Sequence, residues 1–153
     1  MALCSREKIS LIQLIYILEG DTLRDYLKKI WKAMQEAVER GLAAEGILPG
    51  GLHLTRKAKY LYEKRCYNES ADVTMNRVIA AYAYAVCEEN ASENVVVTAP
   101  TCGSCGVLLS ILYYMHKDRG FPEEEILDAL AVAGLVGNVI RTNASISGAE
   151  CGC

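Results

Sequence analysis

The stretch LRDYLKKIWKAMQEAVERGL, residues 23–42, carries the clearest folding signal in this 153-residue chain. Its apolar residues recur at intervals of three and four, which places them on one face of an α-helix, and charged residues occupy the other face. Asp21 and Thr22, just before it, are suitable N-cap residues. Glycines between residues 46 and 51, together with Pro49, end the pattern in a turn-rich loop. The stretch therefore predicts a long amphipathic helix.

The rest of the chain also favours helices over strands. Apolar spacing and helix-start signals predict further helices over residues 55–66, 72–89, 104–117 and 122–135. Three consecutive valines, residues 95–97, could form either a short strand or a buried extended segment. The length suits one domain. The sequence predicts a single all-α domain over residues 1–153, with about five or six helices, at most one short strand and glycine-rich active-site loops.

Charge is distributed unevenly along the chain. The 16 Lys and Arg residues are outnumbered by 19 Asp and Glu residues, for a net charge of -3, so we expect no surface for nucleic acid. No Lys, Arg, Asp or Glu lies between Glu93 and Lys117, and Arg141 is alone between residues 129 and 149. The second half is therefore expected to be mostly buried, either in its own core or against a partner.

Residues 95–115 form a mostly apolar stretch that is long enough to cross a bilayer. Pro100, glycines and hydroxyl side chains interrupt it, and such groups are costly in lipid. A loop that leads into a buried helix is the preferred interpretation, with no membrane insertion.

Seven cysteines are many for this length, and they include two close pairs, Cys102/Cys105 and Cys151/Cys153. The odd number and the lack of a convincing secretory signal argue against a disulfide-stabilised secreted protein. A reducing cytoplasm with metal or thiol chemistry is the better interpretation. The four paired thiolates could bind zinc tetrahedrally in a small helical binding module. Alternatively, Cys102 and Cys105 are small apolar residues in a tight loop.

Two segments concentrate small polar groups without charge. The first is the loop TAPTCGSCG, residues 98–106, which ends at a predicted helix start. Backbone N–H groups there can bind an anion, and the lowered pKa of nearby thiols suits a metal or a redox pair. The second is the run of residues 143–153, whose polar groups need partners or a ligand if they are buried. A capped turn between helices is the alternative for this run. His53 and His116 show no ligand spacing to the cysteines.

Three long segments, residues 35–52, 89–108 and 137–153, together resemble the α chain of iron–sulfur-dependent L-serine dehydratases. Their motifs read EGILPGGL (45–52), VVTAPTCGSCGVL (96–108) and GNVIRTNASISGAECGC (137–153). The resemblance implies a helical catalytic domain that helps to convert L-serine to pyruvate and ammonia. It also implies a β chain or β domain as partner, in a homo- or hetero-oligomer.

The resemblance further implies a [4Fe–4S] cluster held by three cysteines, with one iron open to act as a Lewis acid on the substrate. Cys153 matches one ligand; the family's other cluster cysteines lie further downstream, so the chain is expected to be truncated and inactive alone. No lysine motif for pyridoxal phosphate is visible, and no general base is identified. The residues expected to contact the substrate are Thr98, Thr101, Cys102, Gly103, Asn143, Ser145 and Ser147.

Several positions depart from the family pattern. The N-terminus differs from the family's usual start, and Leu109 stands where a proline is expected. Cys102 replaces an asparagine, which favours a role for the backbone of this loop over its thiols. Cys151 stands where relatives carry valine, so no ligand role is transferred to it.

Overall fold

The computed structural model describes residues 2–64 and 67–144. These residues form seven α-helices: α1 (Ala2–Glu7), α2 (Leu11–Glu19), α3 (Thr22–Ala43), α4 (Ala58–Glu63), α5 (Ala71–Ala91), α6 (Cys105–Lys117) and α7 (Glu123–Asn143). Within them there is no β-strand, and a single antiparallel bridge joins Ile47 to Thr55. The prediction of an all-α domain is confirmed.

The number of helices exceeds the predicted five or six because α1 and α2 were not predicted. α1 is only six residues long, which is too short to show a period. α2, with the sequence LIQLIYILE, is apolar on nearly all sides and so lacks the amphipathic pattern. Ser10 and Gln13 nevertheless form a capping box at its start.

The predicted bounds of two helices also differ from the structure. α4 begins at Ala58 instead of residue 55, because Thr55 pairs with Ile47 in the bridge. α7 continues to Asn143 instead of ending near residue 135, since the glycines within it do not break it. The three valines at residues 95–97 form no strand, and the second and third of them pack against the core.

α3 supplies the centre of the core, as its pattern predicts. Trp31, Met34 and Val38 of this helix are fully buried against side chains of α5, α6 and α7. Burying a large apolar side chain contributes about 1.5–3 kcal/mol. Tyr82 of α5 and Tyr113 of α6 extend this cluster, with their rings 4.8 Å apart in an edge-to-face arrangement.

Two glycines bring α5 into direct backbone contact with α3 and with α6. A Cβ atom at Gly41 of α3 would overlap the Ala85 carbonyl oxygen, and one at Gly106 of α6 would lie 2.7 Å from the Ala83 carbonyl oxygen. Any side chain at either position would force the helices apart. The close packing fixes the first turn of α6 against α5.

The charge-poor second half of the chain is only partly buried. Leu109 of α6 and Leu127 of α7 lie in the core, but Val136 and Val139 in the last turns of α7 are half exposed. The described residues therefore do not bury the end of α7, and the expectation of burial against a partner stays a prediction for this part of the helix. Among the helices of the described residues, none combines the length and apolarity that crossing a membrane requires.

Candidate active site

A buried ion-pair network holds the start of the loop formed by residues 98–104. Glu89, near the end of α5, accepts hydrogen bonds from Arg40 of α3 (3.2 Å) and from Arg56 (3.3 Å). Arg40 also donates from Nη2 to the carbonyl oxygen of Val95 (2.7 Å). Since a buried carboxylate is costly without such partners, Glu89 and Arg40 together fix the point where the chain leaves α5 for the loop.

Glu88, the preceding residue, ties another segment to the same end of α5. Its Oε1 accepts from the backbone N–H groups of Lys57 (2.5 Å) and Ala58 (3.3 Å), which caps the start of α4. Its Oε2 is buried without a hydrogen bond in the described structure and lies 4.0 Å from Arg56 Nη1. Glu88 and Glu89 therefore fix residues 56–58, at the start of α4, to the end of α5, the helix that leads into the loop.

The loop holds its own shape through short-range hydrogen bonds. The hydroxyls of Thr101 and Ser104 lie 2.9 Å apart, and Ser104 Oγ donates to the carbonyl oxygen of Ala99 (2.7 Å). The Ala99 N–H donates in turn to the carbonyl oxygen of Thr101 (3.2 Å). The peptide bond between Ala99 and Pro100 is cis. The backbone is thus folded back on itself immediately before α6.

The four loop residues expected to bind substrate differ in their exposure. Thr101 is buried and takes part in the hydrogen bonds that hold the loop. Thr98, Cys102 and Gly103 are exposed. Thr101 therefore holds the loop from the inside, whereas the three exposed residues lie where a ligand from solvent can contact them.

The first turn of α6 gives this loop a positive electrostatic environment. It contains no acidic residue, whereas His116 and Lys117 lie in the last turn. At an exposed helix N-terminus without an acidic side chain, the free energy of placing an anion is favourable by about 0.3–1 kcal/mol. Cys105 N–H and Val107 N–H are already bonded to the carbonyl oxygens of Cys102 and Ser104. An anion would therefore be received by the loop just before the helix.

Cys102 and Cys105 occupy different environments despite their close spacing. Cys102 is exposed in the loop, whereas Cys105 is fully buried. Cys105 donates a hydrogen bond to the sulfur of Cys87 on α5, a residue that the sequence analysis did not single out. This hydrogen bond, followed by burial, raises the pKa of the Cys105 thiol far above its usual value.

The zinc hypothesis gains no support from this part of the molecule. Within residues 2–64 and 67–144, no group of three or more His, Cys, Asp or Glu side chains is placed to hold a metal ion. Cys151 and Cys153 lie outside the described residues, so the four-thiolate arrangement itself stays a prediction.

Of the run over residues 143–153, only Asn143 lies in the described structure together with the adjoining Ala144. Asn143 is the exposed last residue of α7, and its Nδ2 donates to the carbonyl oxygen of Val139 (2.8 Å). Ser145, Ser147 and the proposed ligand Cys153 fall outside the described residues. Their expected roles remain predictions.

One further concave surface lies at the corner between α2 and α3, lined by Glu19, Thr22, Tyr26 and neighbours. It is wide open and contains none of the residues expected to bind substrate. The self-bonded loop before α6 is the stronger candidate for a functional site, because its geometry is preformed and its electrostatics favour an anion.

The molecule is thus an all-helical domain with a preformed polar loop at a helix start, an arrangement suited to a small anionic ligand. A family model described as the serine dehydratase alpha chain matches residues 5–153. Since this match covers nearly the whole chain, the chain belongs to the serine dehydratase alpha chain family.

Curated relatives agree with this assignment. An L-serine dehydratase of Streptomyces coelicolor is 42% identical over 136 residues, which cover 88% of this chain and 30% of the relative. An L-serine dehydratase of Haemophilus influenzae is 43% identical over 132 residues, covering 84% of this chain and 29% of the relative. One from Helicobacter pylori is 35% identical across the whole chain and 36% of its own length. The chain therefore spans about a third of the length of these relatives.

Proposed function

We propose that residues 1–153 form part of the catalytic α domain of an L-serine dehydratase, a lyase that converts L-serine to pyruvate and ammonia. The observation that carries this proposal is the family match over residues 5–153, which includes both the loop before α6 and the polar run after α7. The relatives that match these segments are named L-serine dehydratases.

In this proposal, the loop of residues 98–104 receives the carboxylate of the substrate. The backbone of Cys102 and Gly103 directly precedes the positive end of α6, where a carboxylate is favoured, and the exposed Thr98 belongs to the same loop. Thr101 keeps the loop in shape through Ser104. Arg40, bonded to Glu89 and to the Val95 carbonyl oxygen, fixes the segment that precedes the loop.

Asn143, Ser145 and Ser147 would complete the polar surroundings of the substrate from the other segment. They bring amide and hydroxyl groups that can bind an amine or a hydroxyl without adding net charge. Asn143 is the last residue of α7. Neither of the two histidines is assigned as a general base.

We further propose that Cys153 is one ligand of a [4Fe–4S] cluster. Cysteine thiolates are the usual ligands of such clusters, so the donor chemistry of Cys153 fits, and the remaining thiolates would come from outside these 153 residues. When bound, the cluster would supply a Lewis acid for the departing hydroxyl group. Pyridoxal phosphate is not part of the proposal.

A serine dehydratase β chain or β domain and further copies of the enzyme are the proposed partners, in the cytoplasm. The half-exposed apolar side chains at the end of α7 support an additional protein surface, since exposed apolar patches mark interaction sites. In the sequence, the polar run of residues 143–153 follows this end of α7.

A chimera tests the proposed activity. Residues 1–153 replace the matching segment of the Streptomyces coelicolor L-serine dehydratase, and pyruvate formation from L-serine is measured without oxygen. We expect activity that is lost on exposure to air, with the unaltered relative as control. A folded chimera that contains its full complement of iron but forms no pyruvate would refute the proposal.

A further inference from the structure

Two cysteines from different helices meet at the contact between α5 and α6. Cys87 lies on α5 and Cys105 is the first residue of α6. Gly106 makes the approach possible, because a Cβ atom at this position would lie 2.9 Å from Cys87 Sγ. Cys87 and Cys105 are 18 positions apart in the sequence, so the fold brings this pair together.

The two thiols have opposite chemical characters. The sulfur of Cys87 accepts one hydrogen bond from the Cys105 thiol and another from the Gly106 N–H, and these lower the pKa of Cys87 below its usual range. Partial burial and the charge of Glu88 oppose this shift. Donors at a helix N-terminus stabilise a thiolate, which is the nucleophilic form of cysteine. Cys105 is fully buried, and burial favours its neutral, protonated form.

The two thiols also differ in access to solvent. Cys87 is exposed, whereas Cys105 is fully buried directly beside it. An exposed thiolate next to a protected thiol is the arrangement in which one cysteine reacts first and the other resolves the product. Cys102, which is also exposed, lies in the loop instead of against the first turn of α6.

We propose that Cys87 and Cys105 form a reversible oxidation site that reacts with peroxides. The Cys87 thiolate attacks one oxygen of hydrogen peroxide, the O–O bond breaks, and the products are a Cys87 sulfenic acid and hydroxide, which takes up a proton as water. Cys105 then loses its proton and attacks the Cys87 sulfur, the S–O bond breaks, and the second water leaves. In sum, two thiols are oxidised to one disulfide while one peroxide is reduced to two waters.

The disulfide would act on the candidate active site through the backbone. It would join α5 covalently to the first residue of α6, which directly follows the loop of residues 98–104. The loop would then be fixed at both ends, at its start by Arg40 and Val95 and at its end by the disulfide. This site involves neither the proposed cluster ligand nor the exposed residues expected to meet the substrate.

The full 153-residue chain, purified without oxygen and freed of metal, provides the test. It is treated with one equivalent of hydrogen peroxide, quenched with an alkylating reagent and mapped by mass spectrometry. We expect a Cys87–Cys105 disulfide, with a mass loss of two hydrogens that dithiothreitol reverses. In the Cys105→Ala variant, Cys87 should instead accumulate as a sulfenic acid that dimedone traps.

Matched variants separate this site from general thiol oxidation. Cys87→Ser should slow peroxide consumption about tenfold, because the activated thiolate is lost, whereas Cys102→Ser should leave the rate unchanged. Circular dichroism confirms that each variant is folded, and Cys87→Ala is the second variant if the serine is not tolerated. Equal oxidation of Cys102 and Cys87, or a disulfide that leaves out Cys105, would overturn the proposal. Because no readout depends on pyruvate formation, failure here is distinct from failure of the proposed enzyme activity.

Discussion

The two halves of α7 have similar apolar sequences but opposite surroundings. In the first half, Ile126, Leu127 and Leu130 are buried against the core built around α3. In the second half, Leu135 and Val139 have exposed fractions of 38% and 55%. Apolar composition therefore does not decide burial within this chain. Burial is decided by contacts with α2, α3 and α6. Among the described residues, Ala131 is the last buried residue of α7 and Val132 the last one packed against the core.

The largest expected effect comes from shortening a leucine in the buried half. Leu127 has no exposed surface, so Leu127→Ala would leave a cavity and should lower the free energy of unfolding by about 2–5 kcal/mol. Urea denaturation followed by circular dichroism measures the change.

Leu135→Ala is the matched control, in the same helix and with the same change. It should cost no more than about 0.5 kcal/mol, as usual at a surface position. If the two variants were equally destabilised, the division of α7 into a buried and an exposed half would be wrong.

The glycines offer a second comparison, with effects of opposite sign. Gly41→Ala would push a methyl group into the backbone of α5 at Ala85 and should destabilise the fold by about 1–3 kcal/mol. Gly134, in α7, has open space around its Cβ position. Gly134→Ala should therefore stabilise by about 0.5–1 kcal/mol, because alanine is the better helix former. Differential scanning calorimetry measures both, and a stabilising Gly41→Ala would contradict the close contact of α3 and α5.

The difference between a buried and an exposed face also explains which helices the sequence predicts. α3 is predicted because one of its faces lies in the core and the other in solvent, which gives its apolar residues a helical period. α2 has no such contrast along its surface and was missed. The end of α7 was expected to be buried in the core or against a partner because it lacks charge, but the lack of charge does not tell which of the two covers it.

The candidate site shows a similar limit. The loop of residues 98–106 stands out by its glycines, proline and small polar side chains, and its position before α6 follows from the helix signal after it. The partnership of Cys105 with Cys87 could not be predicted, because it depends on the contact of α5 with Gly106. The local spacing suggested Cys102 as partner instead. Likewise, no motif indicates that Arg40 reaches Val95 across 55 residues.

The proposed ligand Cys153 gives the most direct test of the central claim, that this chain contributes to an iron–sulfur L-serine dehydratase. Cys153→Ala and Cys151→Ala are compared in the chimera with the Streptomyces coelicolor relative, by bound iron and by the rate of pyruvate formation from L-serine. We expect Cys153→Ala to lose both, and Cys151→Ala to keep both. Unchanged iron content and pyruvate formation in Cys153→Ala would contradict the account.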